Sequence, residues 1–481
     1  MKREFRRRPT SWLLVNGRGA LLVLVVMAAA CASVPRDAGV NDVRQAVSDR
    51  TSQRIEIKTE PLASDDPRVR ELLNGELTSD KAVAVAMVNN PRLQVTLAEL
   101  GIARADLLQA SLIRNPLFEA EIRFPRDPFR PFELRLAQTL VDLIQLPRRK
   151  AIGRAAFDAA KLRVTSEVVR FSADVRAHHA DLLAASQRVA LSRENLETAK
   201  TSAELALRQH DVQNITDLDL ENEQAQYEQA KLSLAREEQR LLAAREALVR
   251  AMGLRDASIA WQIPAVFPPL APSEYDQQKL EQLAATRRLD LEIARRDLDL
   301  ARRQMPLARL AALGDITVDG HLQRDASGAN TFGPGIELPV PVFNTGAAAR
   351  SHAEAEYLRA SHMLNALLAE SSSQLREVAA AVAEARARVE YYRDVIVPRR
   401  ERIVKLTTLE HNAMLVGVFQ LLQAKESETR ARLDFIDAQH DYAIARNALE
   451  RVLDGVASDT PRAAASTPLQ HASTTSPEGG H

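Results

Sequence analysis

The sequence predicts a mainly helical protein in which a hairpin of long coiled-coil helices occurs twice, with four short strands suited to the wall of a membrane β-barrel. Three observations carry this. Val168, Val175, Leu182, Val189, Leu196 and Ala203 recur every seven residues, and 200 positions later Leu368, Leu375, Val382, Val389, Ile396 and Ile403 do the same. Return helices match at an offset of 201, with Leu220, Tyr227, Leu234, Leu241 and Leu248 against Leu421, Glu428, Phe435, Tyr442 and Leu449. Ahead of each long helix lie two segments that alternate apolar and polar residues. A sustained seven-residue apolar period demands partner helices along its length, and a period of two demands a two-faced strand.

Residues 1–30 read as an export signal. Lys2, Arg3, Arg6, Arg7, Arg8 and Arg18 precede or open a short apolar run, Ala20 to Ala30. A membrane-spanning helix needs roughly 20 apolar residues, so this run is too short to be one. Cys31, the only cysteine, follows Ala28, Ala29 and Ala30 and has no internal disulfide partner. Residues 31–76 are expected to be an irregular linker, 77–255 the first repeat, 256–274 a linker and 275–455 the second repeat. The tail, 456–481, is rich in Ala, Ser, Thr and Pro and is expected to be disordered.

In Leu117 to Phe124, residues Phe118, Ala120, Ile122 and Phe124 share one face and Glu119, Glu121 and Arg123 the other. After a Pro-rich turn, Phe132, Leu134 and Leu136 alternate with Glu133 and Arg135, completing a hairpin. In the second repeat Ile316, Val318 and Leu322 oppose Thr317, Asp319, His321 and Gln323, and Phe332, Ile336, Leu338 and Val340 oppose Gly333, Gly335 and Glu337. A strand of about nine residues is long enough to cross a bilayer when tilted. A half-buried sheet on a soluble core has the same pattern, but the remaining chain is coiled-coil helix without a spare apolar layer to cover it. Four strands cannot close a barrel, and an open edge in lipid leaves backbone groups unsatisfied, so such a chain must oligomerise.

The first long helix, from about Arg148 to Gln209, would run roughly 90 Å at ~1.5 Å per residue. Pro398 should kink or interrupt the second, whereas Glu197, at the matching place, offers no break. The second return helix carries a further seam, Ala424, Ala431, Ala438, Ala445 and Val452, which implies neighbours on two sides. The tips are expected near Gln213–Asp219 and Met414–Phe419, where Thr or Asp caps the first return helix.

Zero formal net charge and the lack of a basic stripe argue against nucleic acid. His178 and His179 are adjacent and so face different sides of a helix, with no convincing metal-ligand spacing around them. No Gly-x-x-x-x-Gly-Lys loop occurs, so any driving energy must come from a partner. The expectation is a protein that is not an enzyme and has no metal and no cofactor.

The order of elements resembles the TolC-type outer-membrane efflux proteins across Leu77 to Gly455. The matching segments are LTSDKAVAVAMVNNPRL from Leu77, QTLVDLIQLPRRKAIGRAAFDAAK from Gln138, NITDLDLENEQAQYEQAKL from Asn214, LPVPVFNTGAAARSHAEAE from Leu338 and LLQAKESETRARLDF from Leu421. The resemblance implies a homotrimer whose chains each give four strands to a 12-stranded β-barrel and their helices to a hollow α-barrel in the periplasm. It implies an exit duct that conducts passively, driven by a periplasmic adaptor and an inner-membrane pump of the resistance-nodulation-division type, for drug-like compounds or heavy-metal ions. Glu119, Glu121, Arg123, Glu133, Arg135, Asp319, His321 and Glu337 would line the barrel interior. Asn214, Thr216, Asp217, Asp219, Val416 and Gly417 would lie at the periplasmic tips. The tips depart from the family at Met414, where a glycine is common, and at Val416, where some relatives carry a gating acid. The context of Cys31 also resembles a bacterial lipoprotein signal, with Ala28 in place of the usual Leu, and Ala32 and Ser33 favour the outer membrane. An incidental cysteine near an ordinary cleavage site is the alternative there. For the whole chain, the alternative is a lipid-anchored coiled-coil scaffold without a pore.

Overall fold

The computed structural model describes residues 39–53, 55, 67–124, 131–254, 261–271, 276–310, 314–325 and 327–456. The segment expected to be an irregular linker contains two helices, α1 (Val40–Thr51) and α2 (Pro67–Leu73). Each is too short to establish a period in the sequence. They are held by a few apolar contacts, through Val43, Val47, Val69 and Leu73, all buried.

The run LTSDKAVAVAMVNNPRL forms a helical corner. Thr78 caps α3 (Ser79–Asn89) by accepting from the Lys81 amide at 3.3 Å, and Asn90 caps α4 (Pro91–Ala110), whose first residue is a proline. Proline suits that position because the first amides of a helix have no internal partner. After α4 come β1 (Leu117–Ile122) and β2 (Phe132–Thr139), and β2 passes straight into α5 (Leu140–Asp211), 72 residues long. The long helix thus starts earlier than expected and tolerates Pro147 within its second turn. The return helix α6 (Asp217–Met252) ends on Gly253, whose φ of 71° lies in the left-handed region. The Asn89 and Asn90 side-chain amides donate to the carbonyls of Gly253 and Ala251 at 2.8 and 2.7 Å, satisfying the open end of α6.

The second repeat runs through α7 (Gln277–Arg287), α8 (Leu289–Leu310), β3 (Thr317–Arg324), β4 (Asn330–Glu337) and α9 (Ala347–Tyr391). A π-helical turn, Tyr392–Ile396, then leads into α10 (Val397–Asn412), and α11 (Val418–Leu453) returns. The break attributed to Pro398 is real, and it takes the form of this wide turn. Proline cannot donate to the preceding turn, and the extra residue per turn absorbs the clash. α5 runs unbroken past Glu197.

Val168, Val175, Leu182 and Val189 are buried, as are Leu375, Val382 and Val389. Leu368 and Ile403, at the two ends of the second series, are exposed in the single chain. One core cluster joins α1 to α6, a second joins α7, α9 and α11, and a third crosses between repeats through Ala180, Leu183, Leu191, Phe267 and Ile436. The strands form one antiparallel meander in the order β1-β2-β3-β4. They are six to eight residues long, shorter than expected, and at the end of β4 Pro339 and Pro341 follow Glu337 and cannot donate to a ladder. Leu338 and Val340 therefore lie beyond β4, exposed.

Candidate channel wall and hairpin tips

The register brings the expected wall residues onto one face of the sheet. Glu119 stands opposite Arg135, Arg135 opposite His321, and His321 opposite Gly333. The next rows are Glu121, Glu133, Gln323 and Thr331 on one side, and Leu117, Ala137, Asp319 and Gly335 on the other. Arg135 is the hub, 3.1 Å from both Asp319 and Glu337 and 4.0 Å from Glu119. Arg123 pairs with Glu121 at 2.8 Å. The two glycines of β4 make room for this network. A Cβ at Gly333 would stand 2.9 Å from the His321 ring, and one at Gly335 would stand 2.6 Å from the Asp319 carboxylate. The opposite face carries Phe118, Ile122, Leu136, Phe332 and Ile336, and all five are exposed. Among the described residues no protein layer covers that face, and β1 and β4 have no further strand paired to them.

Where strands meet helices, Arg114 grips two carboxylates with both arms of its guanidinium. It holds Asp142 at 2.6 and 3.0 Å and Asp315 at 3.1 Å. Asp142 is buried and takes a second cation, Arg149, at 3.3 Å. The clamp ties the two repeats at the root of the sheet. It has no sequence signal, because each member reads as an ordinary charge beside a strand or helix end.

At the first tip, Thr216 caps α6 by accepting from the Asp219 amide, while the Asp219 carboxylate accepts from the Thr216 amide at 3.1 Å. The Thr216 hydroxyl and amide together pull Asp219 below the usual carboxylate range. Asp217 pairs with His210 at 2.6 Å, and Asn214 donates its amide to the Gln209 carbonyl. At the second tip no side chain caps α11 at Gly417. Instead the Gln420 side chain accepts from the Gly417 amide at 2.9 Å, and His411 reaches the Val416 carbonyl at 3.1 Å. Met414 has a φ of 61°, a conformation that a glycine takes without strain. Met414, Leu415 and Phe419 are exposed at this tip and Val212 and Leu218 at the other. Between the tips, Glu223 is buried beside Ser202, which donates to it at 2.8 Å, and burial pushes its carboxyl up.

His178 and His179 do face different sides. His179 is buried on the Leu77 carbonyl at 2.8 Å, and burial lowers its pKa, while His178 turns toward Asp181. Among the described residues no group of three or more His, Cys, Asp or Glu is placed to hold a metal, and no helix is long and apolar enough to cross a membrane. Cys31 lies outside the described residues.

Long antiparallel helices carry a two-faced, four-stranded meander, an arrangement shared with solved outer-membrane channels. Residues 280–455 match the family described as outer membrane efflux protein. Among solved structures, the chain is similar to the CmeC outer membrane channel of Campylobacter jejuni, with 14% identity, a TM-score of 0.68, and coverage of 83% of this chain and 90% of that one. A membrane protein from Pseudomonas aeruginosa shares 22% identity at a TM-score of 0.65, with coverage of 83% and 98%. The outer membrane protein VceC of Vibrio cholerae shares 17% at 0.63, with coverage of 78% and 96%. No curated protein sequence matches the chain.

Proposed function

We propose that three copies of this chain form a passive exit duct across the outer membrane and periplasm. Each copy gives four strands to a 12-stranded barrel and two helical hairpins to a hollow stalk. The observation that carries this reading is the meander, which has an uncovered apolar face, a charged face and two unpaired edges. In lipid such edges must pair, and only closure by further copies pairs them all. The charged face, with Glu119, Glu121, Arg123, Glu133, Arg135, Asp319, His321 and Glu337, then borders a water-filled lumen.

Energy comes from an inner-membrane pump, of the resistance-nodulation-division type by family resemblance, reached through a periplasmic adaptor. The tips at Asn214, Thr216, Asp217, Asp219, Val416 and Gly417 meet that adaptor, and the exposed Met414, Leu415 and Phe419 supply apolar contact area there. Drug-like compounds or heavy-metal ions are the cargo classes, and Cys31 carries an acyl anchor. The test is planar-bilayer conductance of detergent-purified protein beside a variant with Glu121→Lys and Glu337→Lys. Discrete channels whose ion selectivity shifts in the variant support the duct. Silence from the wild type and from a tip-loosened variant would favour a scaffold without a pore.

A further inference from the structure

The two repeats meet along α5 and α11 in a ladder of charged and polar pairs. Asp174 faces Arg451 at 3.5 Å, Arg176 faces Glu450 at 3.0 Å, Asp181 faces His440 at 2.8 Å, Arg188 pairs with Asp437, and Glu194 faces Arg432 at 3.3 Å. Four of these five rungs join groups that keep their charge throughout the neutral range. The fifth contains an imidazole, the side chain whose charge changes there.

The geometry around His440 selects the protonated ring. Its Nε2 is 2.8 Å from Asp181 Oδ1, and its Nδ1 is 3.5 Å from Asp441 Oδ1, so both ring nitrogens face carboxylates. A neutral imidazole donates from one nitrogen only, whereas the imidazolium donates from both. The other Asp181 oxygen is 3.7 Å from His178 Nδ1, on the same helix. From α9, Arg388 approaches Asp441 at 2.9 Å and Glu384 at 3.5 Å. The nearest charged rung on α11, Asp437, is already paired with Arg188. Apolar packing closes the site through Ala180, Leu183 and Ile436.

We propose that His440 and Asp181 form a pH-sensitive joint between the two repeats, tight when His440 carries its second proton and looser when it does not. The Asp181 carboxylate, in hydrogen-bond contact, holds His440 above its ordinary value against the effect of burial. The nearby His178 ring and the hydrogen-bonded His440 hold Asp181 well below the usual carboxylate range. The raised His440 contributes stability that is complete below about pH 6.5, its unfolded value, and is lost as pH rises through the folded value. The depressed Asp181 contributes stability that is present above about pH 4 and lost in stronger acid. The joint is therefore strongest in mild acid. By the repeat offsets, the counterparts of Asp181 and His440 are Ala381 and Gln239, so the matching positions cannot form the same pair.

The test is amide hydrogen exchange of the detergent-solubilised full chain at pH 6 and pH 8, corrected for the intrinsic pH dependence of exchange and read by mass spectrometry over residues 433–447. The wild type should lose about threefold to tenfold in protection between the two pH values, the size of one exposed-to-half-buried ion pair. His440→Lys should stay protected at both, His440→Gln should be weak at both, and Asp181→Asn should flatten the profile with His440 intact. Residues 353–366, in the part of α9 remote from His440, serve as the internal control. A wild-type profile that is flat, or one shared by His440→Gln and Asp181→Asn, would overturn the proposal.

Discussion

The two repeats share one heptad frame but not one stiffness. In the first, α5 runs 72 residues without interruption and its tip is locked by reciprocal Thr216 and Asp219 hydrogen bonds. In the second, a π-helical turn divides α9 from α10 and the tip lacks a capping side chain, whereas a left-handed residue is common to both tips, Gln213 at 57° and Met414 at 61°. The return seams differ as well. Tyr227 in the first becomes Glu428 in the second, a buried carboxylate held by Lys425 and Arg432, both at 2.9 Å. A duplicated frame fixes where helices lie, while a few polar and conformational exceptions decide which copy bends more easily. On that comparison the second hairpin is the more deformable one.

The largest expected effect uses the repeat symmetry itself. In the proposed trimer, shifting the β2–β3 register by 200 would set Ile336 of β4 opposite Ala120 of a neighbouring copy. Ile336→Cys combined with Ala120→Cys should give covalent trimers on a non-reducing gel. Monomers alone would break the proposed closure. Next in size, Glu197→Pro should cost α5 about 3 kcal/mol or more, because it removes an internal hydrogen bond where no wide turn absorbs the ring. Pro398→Ala should instead increase exchange protection across residues 392–400. Equal effects of opposite sign at the two sites would remove the stiffness difference.

Glu428→Ala should lower the unfolding free energy by about 3 kcal/mol, read from chemical denaturation, since Lys425 and Arg432 lose the buried anion between them. Tyr227→Ala, at the matching half-buried position, should cost roughly 1 to 2 kcal/mol. A larger loss at Tyr227 would show that the polar exception does not set the strength of the second seam. The smallest change is at the tips. Thr216→Ala should destabilise the start of α6 by about 1 kcal/mol, and Met414→Gly should stabilise the second turn by a few tenths, both read as local exchange rates.

Much of this was legible in the sequence because periodic signals are collective. Six positions at a spacing of seven place α5 against its neighbours, and alternation alone put the seven expected wall residues that lie within the strands on one face. The capping role of Thr216 also follows from local spacing. The rest depends on partners distant in the chain. Asp181 and His440 lie 259 residues apart, and on their own helices each looks like part of a solvated charged face. Arg114 finds Asp315 across 201 residues. The helices α1 and α2 escape pattern reading because two or three buried side chains each cannot define a period. The wide turn before Pro398 follows from proline chemistry as a break, but its form depends on how the neighbouring turns repack.

The direct passage of β2 into α5 has a mechanical consequence. Thr139 ends the strand and Leu140 begins the helix, with no loop between them to act as a universal joint. At ~1.5 Å per residue the rod beyond that point is about 108 Å long, so a tilt of roughly 1° at its root carries the far end about 2 Å sideways. The Arg114 clamp sits at that root. It acts as the bearing of a long lever, where a sub-ångström rearrangement of three side chains translates into a displacement at the opposite end as large as an atom.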